Sequence, residues 1–320
     1  MTWLWALVLV GAALPAWAGG SGDAMQWLQR VATSAQKLTY TGVFTYRSGN
    51  QSETSRITHL VDSGSELERL EALDGSPREV IRRNDEIKSY LSESHQVIVE
   101  RAGGRQAFPA LLPVSLGGLN EYYVIRKGEV GRVAGLDSQA VVVEPRDDLR
   151  YGHRYWVDIQ SGMLLKASMV DERGNALETF AFTELRIGGP VDRNDLKPRL
   201  GAEGGDWKVR NVRATEARGE SKQWLVRSDL PGFHKISSMK RQANPEAPES
   251  IHMVFSDGLA AVSVFIEPLA GAKEKPEAGE MTMGAINVYR RPVDNYQLVI
   301  MGDVPPATLK RLGDSIERSH

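Results

Sequence analysis

Side chains able to do chemistry are present in this sequence, but scattered. The six histidines stand at positions 59, 95, 153, 234, 252 and 320, and no two have the spacing of ligands that share one metal. Asp62-Ser63-Gly64 has the residue types of an aspartic-protease turn. It follows a strand-like run, and an ordinary turn explains it better. Asp147 and Asp148 could serve as paired carboxylates in acid–base chemistry. They follow Pro145 in a hydrophilic segment and read as a solvated turn. Gly-x-Ser-x-Gly, His-Glu-x-x-His, a phosphate loop and a strand-borne Gly-x-Gly-x-x-Gly are all missing. With no Cys, disulfides, thiolate metal sites, cysteine nucleophiles and N-terminal lipid anchoring drop out. The sequence assigns no catalytic residue, metal or cofactor, and it reads as a protein that is not an enzyme.

Three segments have residue types suited to binding. Arg146–Trp156 (RDDLRYGHRYW) concentrates basic, acidic and aromatic side chains. Arginine forks pair bidentately with carboxylate or phosphate, so Arg150, His153 and Arg154 are candidates to hold a head group or a partner. The alternative is a charged loop whose Tyr151 and Trp156 pack inward. Trp207–Arg213 (WKVRNVR) alternates basic and apolar residues, which makes Arg210 and Arg213 further candidates. It could be a strand of either domain or the basic edge of a binding surface. Ala107–Gly118 (AFPALLPVSLGG) has two prolines and a glycine pair that prevent a regular strand. Its Phe108, Leu111, Leu112, Val114 and Leu116 either plug the open face of a sheet or form a hydrophobic flap that touches lipid.

The elements that must position these segments follow from patterning. The length, 320 residues, is comfortable for two domains. Thirty-nine basic against 41 acidic residues leave no surplus for a dedicated nucleic-acid binder. Trp3–Leu14 is almost wholly apolar and is followed by Pro15 and Ala16-Trp17-Ala18. That reads as a signal peptide cleaved near Ala18, which makes the mature chain soluble and periplasmic. A helix is expected from Asp23 to about Lys37, then six short strands between Tyr40 and Arg101. Their separators are Ser48-Gly49-Asn50, Asp62-Ser63-Gly64, Asp74-Gly75-Ser76-Pro77 and Asn84-Asp85. Strands so closely joined pair antiparallel with their neighbours. Further strands run from Tyr122 to Leu185, so the first domain is expected over residues 23–187. Low apolar content at 188–222 marks a linker, and residues 223–320 form a smaller domain. In it, Asp257-Gly258 closes a hairpin, and Pro305 or Pro306 opens a helix with Leu309, Leu312 and Ile316 on one face.

The order of motifs then carries a resemblance. Tyr40-Thr-Gly-Val-Phe-Thr-Tyr46 is followed by Arg69-Leu-Glu-Ala-Leu-Asp-Gly75 with Arg78-Glu-Val80. Arg150-Tyr-Gly-His-Arg-Tyr-Trp-Val-Asp158, Ser161-Gly-Met-Leu-Leu-Lys166 and Glu178-Thr-Phe-Ala-Phe-Thr-Glu184 come next. Leu230-Pro-Gly-Phe233, Ser256-Asp-Gly-Leu-Ala260 and Val262-Ser-Val-Phe-Ile-Glu-Pro268 complete the series. Each is ordinary alone; together, in this order, they resemble the RseB/MucB family of periplasmic sigma-E regulators.

The resemblance implies an α+β architecture. An unclosed antiparallel β-barrel covered by helices, similar to the lipoprotein carriers LolA and LolB, precedes a smaller α/β sheet domain. It also implies a function without catalysis. Such a protein binds the periplasmic part of a single-pass anti-sigma factor (RseA/MucA-like) and keeps the site-1 protease from reaching it. Lipopolysaccharide or lipoprotein acyl chains are the implied releasing ligands. A soluble lipoprotein or lipid carrier is the alternative, and a homo-oligomer stays open.

Overall fold

The computed structural model describes residues 21–101, 112, 116–201, 206–211, 215–216, 223–227, 230–241, 249–269 and 277–319. The expected signal segment, Phe108, Leu111, Val114 and Arg213 lie outside the described residues.

Helix α1 (Ser21–Lys37) buries one stripe, Ala24, Leu28, Val31, Ala32 and Ala35, the three-to-four spacing of an amphipathic helix. It leads into β1 (Tyr40–Ser48), β2 (Gln51–Asp62), β3 (Ser65–Ala72), β4 (Arg78–Arg83), β5 (Glu86–Leu91) and β6 (Gln96–Arg101). The short α2 (Leu119–Tyr122) precedes β7 (Tyr123–Val133), β8 (Leu136–Pro145), β9 (Gly152–Asp158), β10 (Leu164–Val170) and β11 (Ala176–Ile187). These strands and β12 (Lys208–Asn211) form one twelve-stranded sheet in the order β12-β6-β5-β4-β3-β2-β1-β11-β10-β9-β8-β7. β7 and β12 are its two edges, so the sheet is unclosed. Every pairing is antiparallel except that of β12 with β6.

One face of this sheet holds the first core, where α1 lies against β7, β8 and β10. Phe44, Phe180 and Phe182 meet edge-to-face, with centroids 5.0–5.9 Å apart. Gly42 is required beside them, because a Cβ there would lie 2.6 Å from the Glu184 carbonyl oxygen. Leu112 and Leu116, the described apolar residues of the proline-rich segment, are buried in this same core.

The second sheet joins β13 (Thr215–Glu216), β15 (His234–Arg241), β16 (Ser250–Ser256), β17 (Ala261–Pro268), β18 (Gly279–Met283), β19 (Ile286–Val293) and β20 (Tyr296–Gly302). Their order is β13-β15-β16-β17-β20-β19-β18. Helix α3 (Pro306–Asp314) packs on β19 and β20. A small pair, β14 (Trp224–Val226) with β21 (Ile316–Arg318), closes the end of the domain.

Two expectations change. The final helix stops at Asp314, so Ile316 reaches the second core from β21 and not from a helical face. The Ser315 N–H already bonds the Leu312 carbonyl, a tightened last turn that ends the helix. The two strands expected at Tyr122–Arg126 and Gly131–Ala134 are one, β7, which runs Tyr123–Val133 and whose register shifts between Lys127 and Val130. Beyond Ile187, two described stretches contact the first sheet. Glu79 accepts from the N–H groups of Arg199 and Leu200 at 2.8 and 3.1 Å, and β12 adds an edge strand.

Candidate functional site

The Arg146–Trp156 segment runs from the end of β8 through a tight loop into β9, where the first domain meets the second. Asp147 starts that loop. Its carboxylate accepts the Leu149 N–H at 3.1 Å and takes Nε and Nη2 of Arg150 at 2.9 and 3.0 Å. The turn exposes Leu149 to the second domain, whose core it joins. Thr308 of α3 donates to the Leu149 carbonyl at 2.9 Å.

A reciprocal insertion comes from the hairpin between β16 and β17. Asp257 accepts from the N–H groups of Leu259 and Ala260, which shapes the turn. Leu259 then packs against the first core. Each domain therefore lends a leucine to the other. Two glycines permit the close approach. Gly232 has φ +83°, and a Cβ there would lie 2.7 Å from the Tyr122 ring. Gly258 has φ +103°, and its Cβ would lie 3.3 Å from Leu119.

Arg150 fastens the seam. Its Nη1 donates to Asp257 at 2.6 Å with both side chains fully buried, and Nη2 donates to the Pro231 carbonyl at 2.6 Å. Tyr123 donates to the same Asp257 oxygen at 2.8 Å. The rings of Tyr122, Tyr123 and Phe233 surround the guanidinium with centroids 4.9–5.6 Å away. Burial opposes the Arg150 charge, but the Asp147 hydrogen bonds and the Asp257 charge outweigh it and raise its pKa. Burial also pushes the Tyr123 phenol far up, and Asp257 adds to that. Arg150 and Asp257 thus form a buried ion pair that joins the two domains.

Beside the seam lies a cleft of about 800 Å³. Its walls come from the β8–β9 segment (Val142–Arg154), the β10–β11 turn (Val170–Gly174) and Pro305-Pro306 at the start of α3. Acidic groups outnumber basic ones: Glu144, Asp147, Asp148, Asp171 and Glu172 against Arg150, Arg154 and Arg173.

Of the residues expected from sequence, Arg150, His153 and Arg154 come together here. Arg150 was expected to hold an external anion; the carboxylate it holds is Asp257, inside the chain. Burial drops the His153 pKa to about 4, with the Asp257 charge pulling the other way, so its ring is neutral at pH 7. Arg154 is exposed. Arg210 is also exposed but sits on β12, the sheet edge opposite β7. Sequence reasoning missed Tyr123, Leu149, Asp257 and Leu259. The available signal was that two motifs of the resemblance, Leu230–Phe233 and Ser256–Ala260, centre on loops, and that the Arg150–Asp158 motif begins in the loop before β9.

Away from the seam, folding gathers side chains that sequence spacing had kept apart. Among the described residues, His59, Glu66 and Glu68 have possible metal-ligand atoms that all lie within 4.8 Å of one another. No helix among the described residues is long and apolar enough to cross a membrane.

An unclosed sheet clasped to a smaller sheet, with a cleft at the joint, defines a two-domain β-rich protein. The chain belongs to the MucB/RseB family: the MucB/RseB N-terminal domain matches residues 23–200 and the C-terminal domain residues 218–317. It is similar to the sigma factor AlgU regulatory protein MucB of Pseudomonas aeruginosa, at 31% identity over 97% of this chain and 96% of that one. The sigma-E factor regulatory protein RseB of Escherichia coli K12 is 24% identical, over 91% of this chain and 89% of its own. A crystal structure of MucB in complex with MucA(peri) superposes with a TM-score of 0.70 at 30% identity, covering 93% of this chain and all of that one.

Proposed function

We propose that this chain is a negative regulator of the sigma-E envelope-stress response. Acting in the periplasm after removal of residues 1–18, it binds the periplasmic part of a membrane anti-sigma factor and shields it from site-1 proteolysis. Lipopolysaccharide or a lipoprotein acyl chain releases it. The observation that carries this reading is the end-to-end similarity to MucB solved with MucA(peri).

The cleft at the seam supports it physically. Shielding a flexible segment needs contact area and no catalytic group. With Arg150 neutralised internally and His153 uncharged, the exposed Arg154 and Arg173 are the lining cations that face solvent. The acidic surplus favours a segment of net positive charge over a phosphorylated head group. We therefore assign partner contact to the cleft, with Arg154 as an orienting group. Lipid engagement is assigned to Phe108, Leu111 and Val114 of the apolar segment, whose Leu112 and Leu116 are buried in the first core. Arg210 and Arg213 are kept as a reserve assignment for partner or head-group binding. A lipid can release the partner only by binding the free regulator better than the complexed one.

Gel filtration of the mature chain with the anti-sigma periplasmic segment tests the reading. Co-elution that is lost on adding lipopolysaccharide is expected. Separate elution, with transfer of labelled lipoprotein between membranes, would replace the regulator by a carrier.

A further inference from the structure

The register of β1, β2 and β3 sets Tyr40 beside His59 and His59 beside Glu68, with Glu66 two residues earlier on the same strand face. His59 and Glu68 are buried, at 1% and 5% exposure, while the Glu66 side chain keeps 23%, an opening to solvent.

The hydrogen bonding of His59 is one-sided. Its Nδ1 lies 2.8 Å from the Leu38 carbonyl oxygen, which can only accept, so Nδ1 carries a proton and donates. In the neutral ring Nε2 then presents a lone pair. It faces Oε1 of Glu66 at 3.2 Å, a second acceptor. Two acceptors so close need a positive charge between them, either a proton or a metal ion. A backbone carbonyl fixing one ring nitrogen is the usual outer support of a metal-bound histidine.

A second observation comes from Tyr40. Its ring stacks on His59 with centroids 4.8 Å apart, and its buried hydroxyl has no hydrogen-bond partner among the described residues. Glu66 and Glu68 both act electrostatically on that phenol, so it belongs to the same cluster.

We propose that His59 Nε2 and the carboxylates of Glu66 and Glu68 bind a zinc-type divalent cation, with the Tyr40 hydroxyl holding a water at the fourth position. One imidazole and two carboxylates suit zinc; magnesium and calcium prefer six or more oxygens. Tetrahedral zinc ligands at about 2.1 Å are roughly 3.3 Å from one another. The His59–Glu66 pair already has that separation, and Glu68 closes by side-chain rotation. Bound there, the ion would join the end of α1, through Leu38, to β2 and β3. Arg82 opposes it: its guanidinium lies 3.3 Å from the same Glu66 oxygen that would bind metal.

The test uses the mature chain, freed of metal by a chelator and titrated with zinc chloride and, separately, cobalt chloride. We expect one equivalent of zinc bound, the visible absorption of tetrahedral cobalt, and a rise in Tm with zinc concentration. Glu68→Gln and His59→Gln should each weaken binding at least about tenfold, the effect expected on removing a ligand. Arg82→Gln should tighten it severalfold, which a purely structural ion-pair network would not do. That variant removes a competitor whose side chain is 15% exposed and keeps all three ligands, so it reads out even where His59→Gln fails to fold. Absence of saturable binding by the wild-type chain overturns the proposal. So does equal binding by Glu68→Gln, or weaker binding by Arg82→Gln.

Discussion

Replacing Arg150 by Met removes four hydrogen bonds at once: two to Asp147, one to Asp257 and one to the Pro231 carbonyl. Methionine still fills much of the space among Tyr122, Tyr123 and Phe233, so the loss is mainly electrostatic. Breaking a buried pair costs about 3–5 kcal/mol, because the remaining charge stays buried without compensation. Asp257 keeps the Tyr123 hydroxyl and the N–H groups of Leu259 and Ala260. That support places the expected destabilisation at the lower end, about 3 kcal/mol, or roughly 6–12 °C in Tm for a chain of this size. Asp257→Asn removes the opposing charge, so the double variant should cost at least about 1 kcal/mol less than the two single effects added. Urea denaturation of the four proteins gives the cycle. Additive losses, or less than about 1 kcal/mol for Arg150→Met, would refute the seam argument.

Further outcomes follow from the same geometry. Gly232→Ala should destabilise by more than about 1 kcal/mol, through its left-handed backbone and the Tyr122 ring 2.7 Å away. Gly131→Ala, which meets nothing within 4 Å, should change calorimetric stability by less than about 0.5 kcal/mol. Leu112→Ala should cost about 2–5 kcal/mol, since that side chain is fully buried; a stability change below about 1 kcal/mol would show it is not core. In metal-free protein, burial raises the Glu68 carboxyl from 4.5 to about 7, with His59 and Arg82 pulling it down. The unfolded chain ionises first, so stability falls as pH rises from about 4.5 to about 7, by up to about 3 kcal/mol. Chelated Glu68→Gln should match wild type near pH 4.5 and exceed it at pH 8 in thermal melts.

Local chemistry made the strands readable. Ser48-Gly49-Asn50, Asp62-Ser63-Gly64 and Asn84-Asp85 turn the chain where expected, because positive φ at Gly49, Ser63, Gly64 and Asn84 suits those residues. The amphipathic stripe of α1 and the Asp257-Gly258 hairpin were equally legible. Parallel pairing of β12 with β6 was not, since it joins residues more than a hundred positions apart and depends on the far edge being vacant. The same limit hid the seam. Arg150 carries the signature of an anion grip, and only tertiary structure reveals that its anion is Asp257, from the other domain. His59, Glu66 and Glu68 likewise share a site through strand register, which no spacing along one segment expresses.

The central claim is that this chain occludes an anti-sigma segment. The most direct measurement is the rate at which site-1 protease cleaves that periplasmic segment, with and without stoichiometric mature chain. The account predicts cleavage slowed at least about tenfold, with the rate restored by lipopolysaccharide. Arg154→Glu should weaken the protection without lowering Tm. Cleavage at an unchanged rate in the presence of folded, saturating chain would contradict it.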